Sequence, residues 1–132
     1  MIKCKSLEDK FKTLFTNGKQ EAFSDASKES GGGESGFGPF ELFEAAYANC
    51  LAIWLRMYAD KHKVPLKEIS TQVSLDRTVP GEAIFEYDIE LVGPLTDDQR
   101  HKLIQIAKTC PVRKMLLGKI TFRNLKEEEL VD

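Results

Sequence analysis

The chain has 132 residues, 42% hydrophobic and 30% charged, with 19 lysines and arginines against 21 aspartates and glutamates for a formal net charge of -2. That is the length of one domain with enough apolar mass for a core, which excludes a multidomain assembly and a wholly disordered chain. The balanced charge gives no basic stripe, and no apolar run reaches the roughly 20 residues of a membrane span, so neither nucleic acid nor membrane is expected as a partner.

The first six residues lead into a charged stretch without an apolar signal core, which points to a cytoplasmic location. Phe11–Phe15 and Gln20–Phe23 flank Asn17-Gly18, the dipeptide that most readily takes positive φ in a tight turn, and predict a β-hairpin within residues 1–24. The Gly/Ser-rich run that begins at Ser24 and ends at Gly38 is a loop over 25–38. Residues 39–125 then form the main body. Pro39 opens a run to Lys63 that predicts a helix of roughly six turns, with proline in the first turn where its missing N–H costs nothing.

Phe43, Ala46, Tyr47, Cys50, Ile53, Trp54 and Met57 share one side of that helix, while Leu42, Ala45, Leu51, Ala52 and Leu55 cover much of the rest. A helix apolar nearly all round is buried on most sides, and a chain this short does not cover it alone, so a partner subunit is expected. Two alternating strands follow: Ile69, Thr71, Val73 and Leu75, then Ala83, Phe85, Tyr87, Ile89 and Leu91. Pro80-Gly81 between them suits the centre of a type II turn, and one face of the hairpin packs on the helix. Thr96 to Gln99 is a capping box that starts a second helix with Leu103, Ile104, Ile106 and Ala107 on its apolar side. Pro111 disfavours helical geometry at Cys110 and opens a short third helix to Leu117, stopped by Gly118. Ile120–Phe122 predicts a last strand, and the run from Lys126 to Glu129 a solvated tail.

Cys4, Cys50 and Cys110 are odd in number and widely spaced, which does not suit a disulfide scaffold and leaves catalytic or redox use open. No CxxC or HxxxH spacing occurs and His62 and His101 stand alone, so no metal is expected. Cys50 lies midway along the apolar helix. Cys110 lies at the N-cap of the third helix, where backbone amides and the dipole favour a thiolate. Packing is the competing explanation for both, since free cysteine commonly acts as a small buried hydrophobe, and Cys4 near the chain start is given no role. A reactive Cys50 needs a cation, because apolar surroundings raise a thiol's pKa. Lys19, Arg113, Lys114 and Arg56 are the candidates, although Arg56 sits about 240° round the helix from Cys50. Glu41 or Glu44 would orient that cation, or simply favour the dipole at the helix start.

The stretch from Gly38 to Cys50, GPFELFEAAYANC, followed about 60 residues later by Cys110-Pro111-Val112, resembles the OsmC/Ohr family of osmotically inducible and organic hydroperoxide resistance proteins. Leu55 to Ala59 and the segment from Leu91 to Thr96 support it, and the likeness spans roughly Ser24 to Phe122. The resemblance implies a single OsmC-like domain over residues 1–132 with an α+β fold. It also implies an intertwined homodimer, with two long central helices packed between antiparallel sheets. It further implies that Cys50 is the peroxidatic thiol and that Cys110 resolves its sulfenic acid into a disulfide. Glu41 stands one place beyond the family's Pro-Glu. Lys19 most resembles the hairpin arginine, and a lysine does not reproduce a bidentate guanidinium clamp. Phe43, Tyr47, Trp54 and Met57 would shape a pocket preferring organic hydroperoxides, though core packing explains each equally well. No bound cofactor is implied. An external dithiol reductant is, with a lipoylated protein among the candidates. The alternative is a redox-silent dimeric domain that binds a small apolar ligand or serves in assembly.

Overall fold

Gly38 precedes the proline that opens the long helix, and its N–H donates to Glu41 Oε1 at 2.8 Å, half of a capping box that fixes where helix α1 (Pro39–Lys61) begins. The computed structural model describes residues 1–126, so the predicted tail beyond Lys126 lies outside the described residues. Two units divide the chain: Met1–Asn49 with Thr71–Ile89, and Cys50–Ser70 with Glu90 onwards. Helix α1 contributes to both, as do the strands that follow it.

In the first unit, β1 (Lys3–Ser6), β2 (Thr13–Thr16) and β3 (Glu21–Ser24) form an antiparallel sheet in that order, with Cys4 opposite Phe15 and Leu14 opposite Phe23. The predicted hairpin is β2–β3. Asn17 Oδ1 accepts the N–H groups of Lys19 and Gln20, both at 2.8 Å, and Gly18 takes φ 95°. Strand β1 was not expected. Its four residues, Cys4 among them, are all exposed and lack the apolar alternation that signals a strand.

The predicted loop has an ordered interior. Buried Asp25 accepts the Ser35 hydroxyl at 2.7 Å and the N–H groups of Ala26, Gly33 and Ser35 at 2.7, 3.2 and 3.1 Å. The Ser35 contacts foremost hold the Asp25 carboxyl below the ordinary carboxylate range, outweighing burial. A Cβ on Gly36 would strike the Phe23 carbonyl, so the loop closes against β3 only with glycine there.

Strands β4 (Glu68–Asp76) and β5 (Ile84–Val92) form the second sheet. Their turn matches expectation: Glu82 N–H donates to Val79 O at 3.1 Å and Gly81 has φ 82°. Within the first unit this sheet packs on α1. The Tyr47 ring meets Phe85 and Tyr87 edge-on at 5.7 and 5.6 Å, Thr71 Oγ1 donates to Ala48 O, and Glu44 Oε2 accepts Leu75 N–H at 2.7 Å.

In the second unit the buried residues are Leu51, Leu55 and Ala59 of α1, Leu66, and Leu103, Ala107 and Cys110. Helix α2 (Asp97–Ala107) carries the predicted capping box in both directions, and α3 (Pro111–Leu117) follows the Cys-Pro bend. Arg56 donates to the carbonyls of Leu66 at 2.8 Å and Lys67 at 3.2 Å, while Arg100 donates to those of Leu91 and Gly93. Gly93 has φ 150°, and a Cβ there would strike the Pro65 carbonyl.

Two expectations are corrected. No strand follows β5 among the described residues: Ile120 and Phe122 are 54% and 89% exposed, since a strand needs a neighbour to pair with. The supposed common side of α1 also divides. Tyr47 is buried and Trp54 half-buried, whereas Phe43 and Ala46 in the first unit and Ile53 and Met57 in the second are exposed. Helix rotation follows the four-residue spacing of Tyr47, Leu51, Leu55 and Ala59, which leaves part of the apolar surface uncovered in a single chain. No helix among the described residues is long and apolar enough to cross a membrane.

Two measurements test these contacts. Because the Asp25 pKa is depressed on folding, its stabilisation is fully present above the unfolded value of about 3.9 and is lost as pH falls through the lower folded value. Asp25→Asn should therefore flatten the acid limb of a circular-dichroism stability profile, and an unaltered limb would contradict the network. Gly93→Ala should lower stability by about 2 kcal/mol in urea unfolding, through positive φ and the close carbonyl.

Candidate active site

The end of α2 tightens as it approaches Pro111. Thr109 N–H donates to Ile106 O at 2.9 Å and Cys110 N–H to Ala107 O at 3.2 Å, after which Cys110 turns extended at φ -51°, ψ 127°, as a residue before proline prefers. This bend brings the Cys110 thiol to Cys50, 60 residues away in sequence. The Cys110 Sγ–H donates to Cys50 Sγ at a sulfur–sulfur separation of 2.8 Å. Both thiols are free. A disulfide bond is about 2.05 Å long, so joining the two sulfurs needs a closure of less than about 1 Å.

The two thiols are unequal. Cys110 is fully buried and Cys50 half-buried. Burial pushes the Cys110 thiol above its ordinary pKa, and its bond to Cys50 adds to the rise, against the lowering effect of the Arg113 and Val112 N–H groups. The expected thiolate-favouring N-cap is thus overturned at Cys110. Two amides of a short helix do not offset the lost hydration of a buried sulfur.

Trp54, one turn beyond Cys50, donates its indole N–H to Thr109 Oγ1 at 2.9 Å, and that hydroxyl donates to Ile106 O at 2.7 Å. Sequence reasoning overlooked Thr109. The available signal was the tryptophan itself on a largely apolar helix, since a buried indole N–H generally finds an acceptor. Met57 lies in the same unit and is exposed.

The remaining candidates belong to the first unit. Lys19 is exposed in the β2–β3 turn, Glu41 caps Gly38, Phe43 is exposed, and Tyr47 is buried against Phe85 and Tyr87. Glu44 is engaged by Leu75 N–H, and Arg56, in the second unit, is held by two carbonyls and by Asp60 at 3.5 Å. Cys4 is exposed and borders an open, mainly apolar cavity of ≈ 780 Å³ with Phe11, Phe15, Pro39, Leu42 and Ala46. No group of three His, Cys, Asp or Glu side chains among the described residues is placed to hold a metal ion.

Among the described residues, three α-helices, two sheets and a pair of touching thiols define an α+β dithiol protein. The chain belongs to the OsmC-like protein family, whose model matches residues 31–123. Solved structures share its fold at low sequence identity. An OsmC-like protein from Mycoplasma pneumoniae is 21% identical with a TM-score of 0.73, covering 89% of this chain and 86% of its own. An organic hydroperoxide resistance protein OsmC from Legionella pneumophila is 24% identical with a TM-score of 0.65, covering 89% and 88%. One from Elizabethkingia anophelis is 21% identical with a TM-score of 0.64, covering 89% of each chain. No curated protein matches the sequence.

The burial and raised pKa of Cys110 set an order of labelling. Iodoacetamide should modify exposed Cys4 first and Cys110 last. The Cys110 rate should climb only above the ordinary thiol range near about 8.5. Peptide mapping that finds Cys110 labelled ahead of Cys4 at neutral pH would contradict this picture.

Proposed function

We propose that this chain is a cytoplasmic homodimeric thiol peroxidase that reduces organic hydroperoxides to alcohols. The observation behind this reading is the Cys50–Cys110 contact at 2.8 Å, with the more buried thiol kept protonated. Cys50 thiolate attacks the terminal peroxide oxygen, the O–O bond breaks, and the alkoxide leaves as the alcohol after taking a proton. Cys110 then attacks the Cys50 sulfur of the sulfenic acid, the S–O bond breaks, and hydroxide departs as water with the Cys110 proton. An external dithiol, a lipoylated protein among the candidates, returns both thiols to the reduced state. Glu41 and Lys19 are the activating pair in this reading, and Phe43, Tyr47, Trp54 and Met57 favour an alkyl-bearing substrate. Exposed apolar side chains on α1, Phe43 in one unit and Ile53 and Met57 in the other, support a second copy as their cover.

A second reading draws on the apolar cavity beside Cys4: a redox-silent domain that binds a small apolar ligand. The two separate under one treatment, stoichiometric cumene hydroperoxide followed by intact mass and peptide mapping with free thiols blocked. The peroxidase reading expects loss of two hydrogen masses and a Cys50–Cys110 linked peptide, faster than with hydrogen peroxide. Two unreacted thiols would reject it in favour of ligand binding.

A further inference from the structure

Cys50 and Trp54 are four residues apart on α1, and Thr109 and Cys110 are consecutive at the end of α2, so two adjacent residues of the bend meet one turn of the helix at two points. Trp54 Nε1–H binds Thr109 Oγ1, Thr109 passes its own hydroxyl hydrogen to Ile106 O, and Cys110 Sγ–H reaches Cys50 Sγ. Ile106 O is a carbonyl of the last turn of α2, where intrahelical partners run out, so Thr109 also satisfies that helix end. Trp54 is the single tryptophan of the chain.

We infer that Trp54 and Thr109 are positioning residues, a hydrogen-bonded clamp that holds Cys110 against Cys50 and so sets how readily the two sulfurs join. In the peroxidase reading, on which the kinetic side of this inference rests, the clamp speeds resolution of Cys50 sulfenic acid and protects it from a second hydroperoxide. Without the clamp, the Thr109–Cys110 bend keeps its proline but loses its side-chain tie to α1. Cys110 then samples positions farther from Cys50, and the sulfenic acid survives long enough to reach the sulfinic state.

The clamp can be measured without hydroperoxide, as the effective concentration of the Cys50–Cys110 thiol pair in buffers of reduced and oxidised glutathione. Disulfide formation there balances against oxidised glutathione, which takes the two electrons and two protons. Trp54→Phe keeps an aromatic ring without the N–H, and Thr109→Val keeps the shape without the hydroxyl. Each should lower the effective concentration about threefold to tenfold, the worth of one hydrogen bond. Thr109→Ser should restore the parent value, and the Trp54→Phe/Thr109→Val double variant should fall no further than either single one, because all three remove the same bond. A merely structural loss would not be rescued by serine and would add. With cumene hydroperoxide, Thr109→Val should form Cys50 sulfenic acid at the parent rate yet accumulate Cys50 carrying two added oxygens. Unchanged or raised effective concentrations in both single variants would overturn the clamp, as would a parent protein that forms no Cys50–Cys110 bond in glutathione. Glutathione pairing that depends on the clamp, together with inertness to hydroperoxide, would support the clamp and reject only the peroxidase reading.

Discussion

Burial of Leu51, Leu55 and Ala59 along α1 fixes the rotation of that helix in the second unit, and the dithiol geometry depends on it. Cys50 and Trp54 each precede a buried leucine by one residue, which turns them about 100° from the buried line. Both are consequently half-buried: one side of each is open to a partner across the gap, and neither is lost in the core. On α2, Leu103 and Ala107 repeat the four-residue spacing, and Cys110 follows after the helix has tightened. Pro111 prevents that helix from continuing, so the chain must turn where the second thiol stands. Two independent constraints, a buried stripe and a proline, thereby converge on one sulfur–sulfur contact.

The difference between the two thiols follows from the same packing. Cys110 completes a buried set and is held protonated by burial, so it serves as the hydrogen-bond donor and Cys50 as the acceptor. Only thiolates attack, hence a thiol with a raised pKa is poorly suited to meet an oxidant first. In the proposed reaction this gives an order: Cys50 reacts, and Cys110 supplies the proton that leaves with the hydroxide. A helix dipole acting alone would have given the reverse order, and here the loss of water around the buried sulfur prevails.

What could be foreseen from the residues was local. Asn17-Gly18, Pro80-Gly81, Thr96 with Gln99, and Cys110-Pro111 each specify backbone geometry within four residues, and each forms as expected. The family resemblance rested on motifs that are themselves local, and the α+β class was what that resemblance implied. What was missed depends on distant partners. Strand β1 exists because β2 accepts it, Thr109 matters because Trp54 lies 55 residues earlier, and Asp25 is buried by a loop that folds back from Gly33 to Phe37. Ile120–Phe122 failed in the opposite sense, having strand-like alternation without a pairing neighbour among the described residues.

The Gly/Ser-rich segment shows how a composition that suggests a loose linker becomes a fixed lead-in to α1. Asp25 anchors its far side, Ser24 Oγ and Asp25 N–H both donate to Phe37 O, and the segment ends at Gly38, whose N–H holds Glu41 Oε1. Glu41 is therefore already committed through one oxygen to the start of the helix. A carboxylate has about four lone-pair sites over its two oxygens, so Glu41 keeps acceptor capacity for a cation on Oε2 and on Oε1, with the Gly38 contact restricting where the group points. The cap that begins the helix thus also limits the geometry of the glutamate proposed for the site.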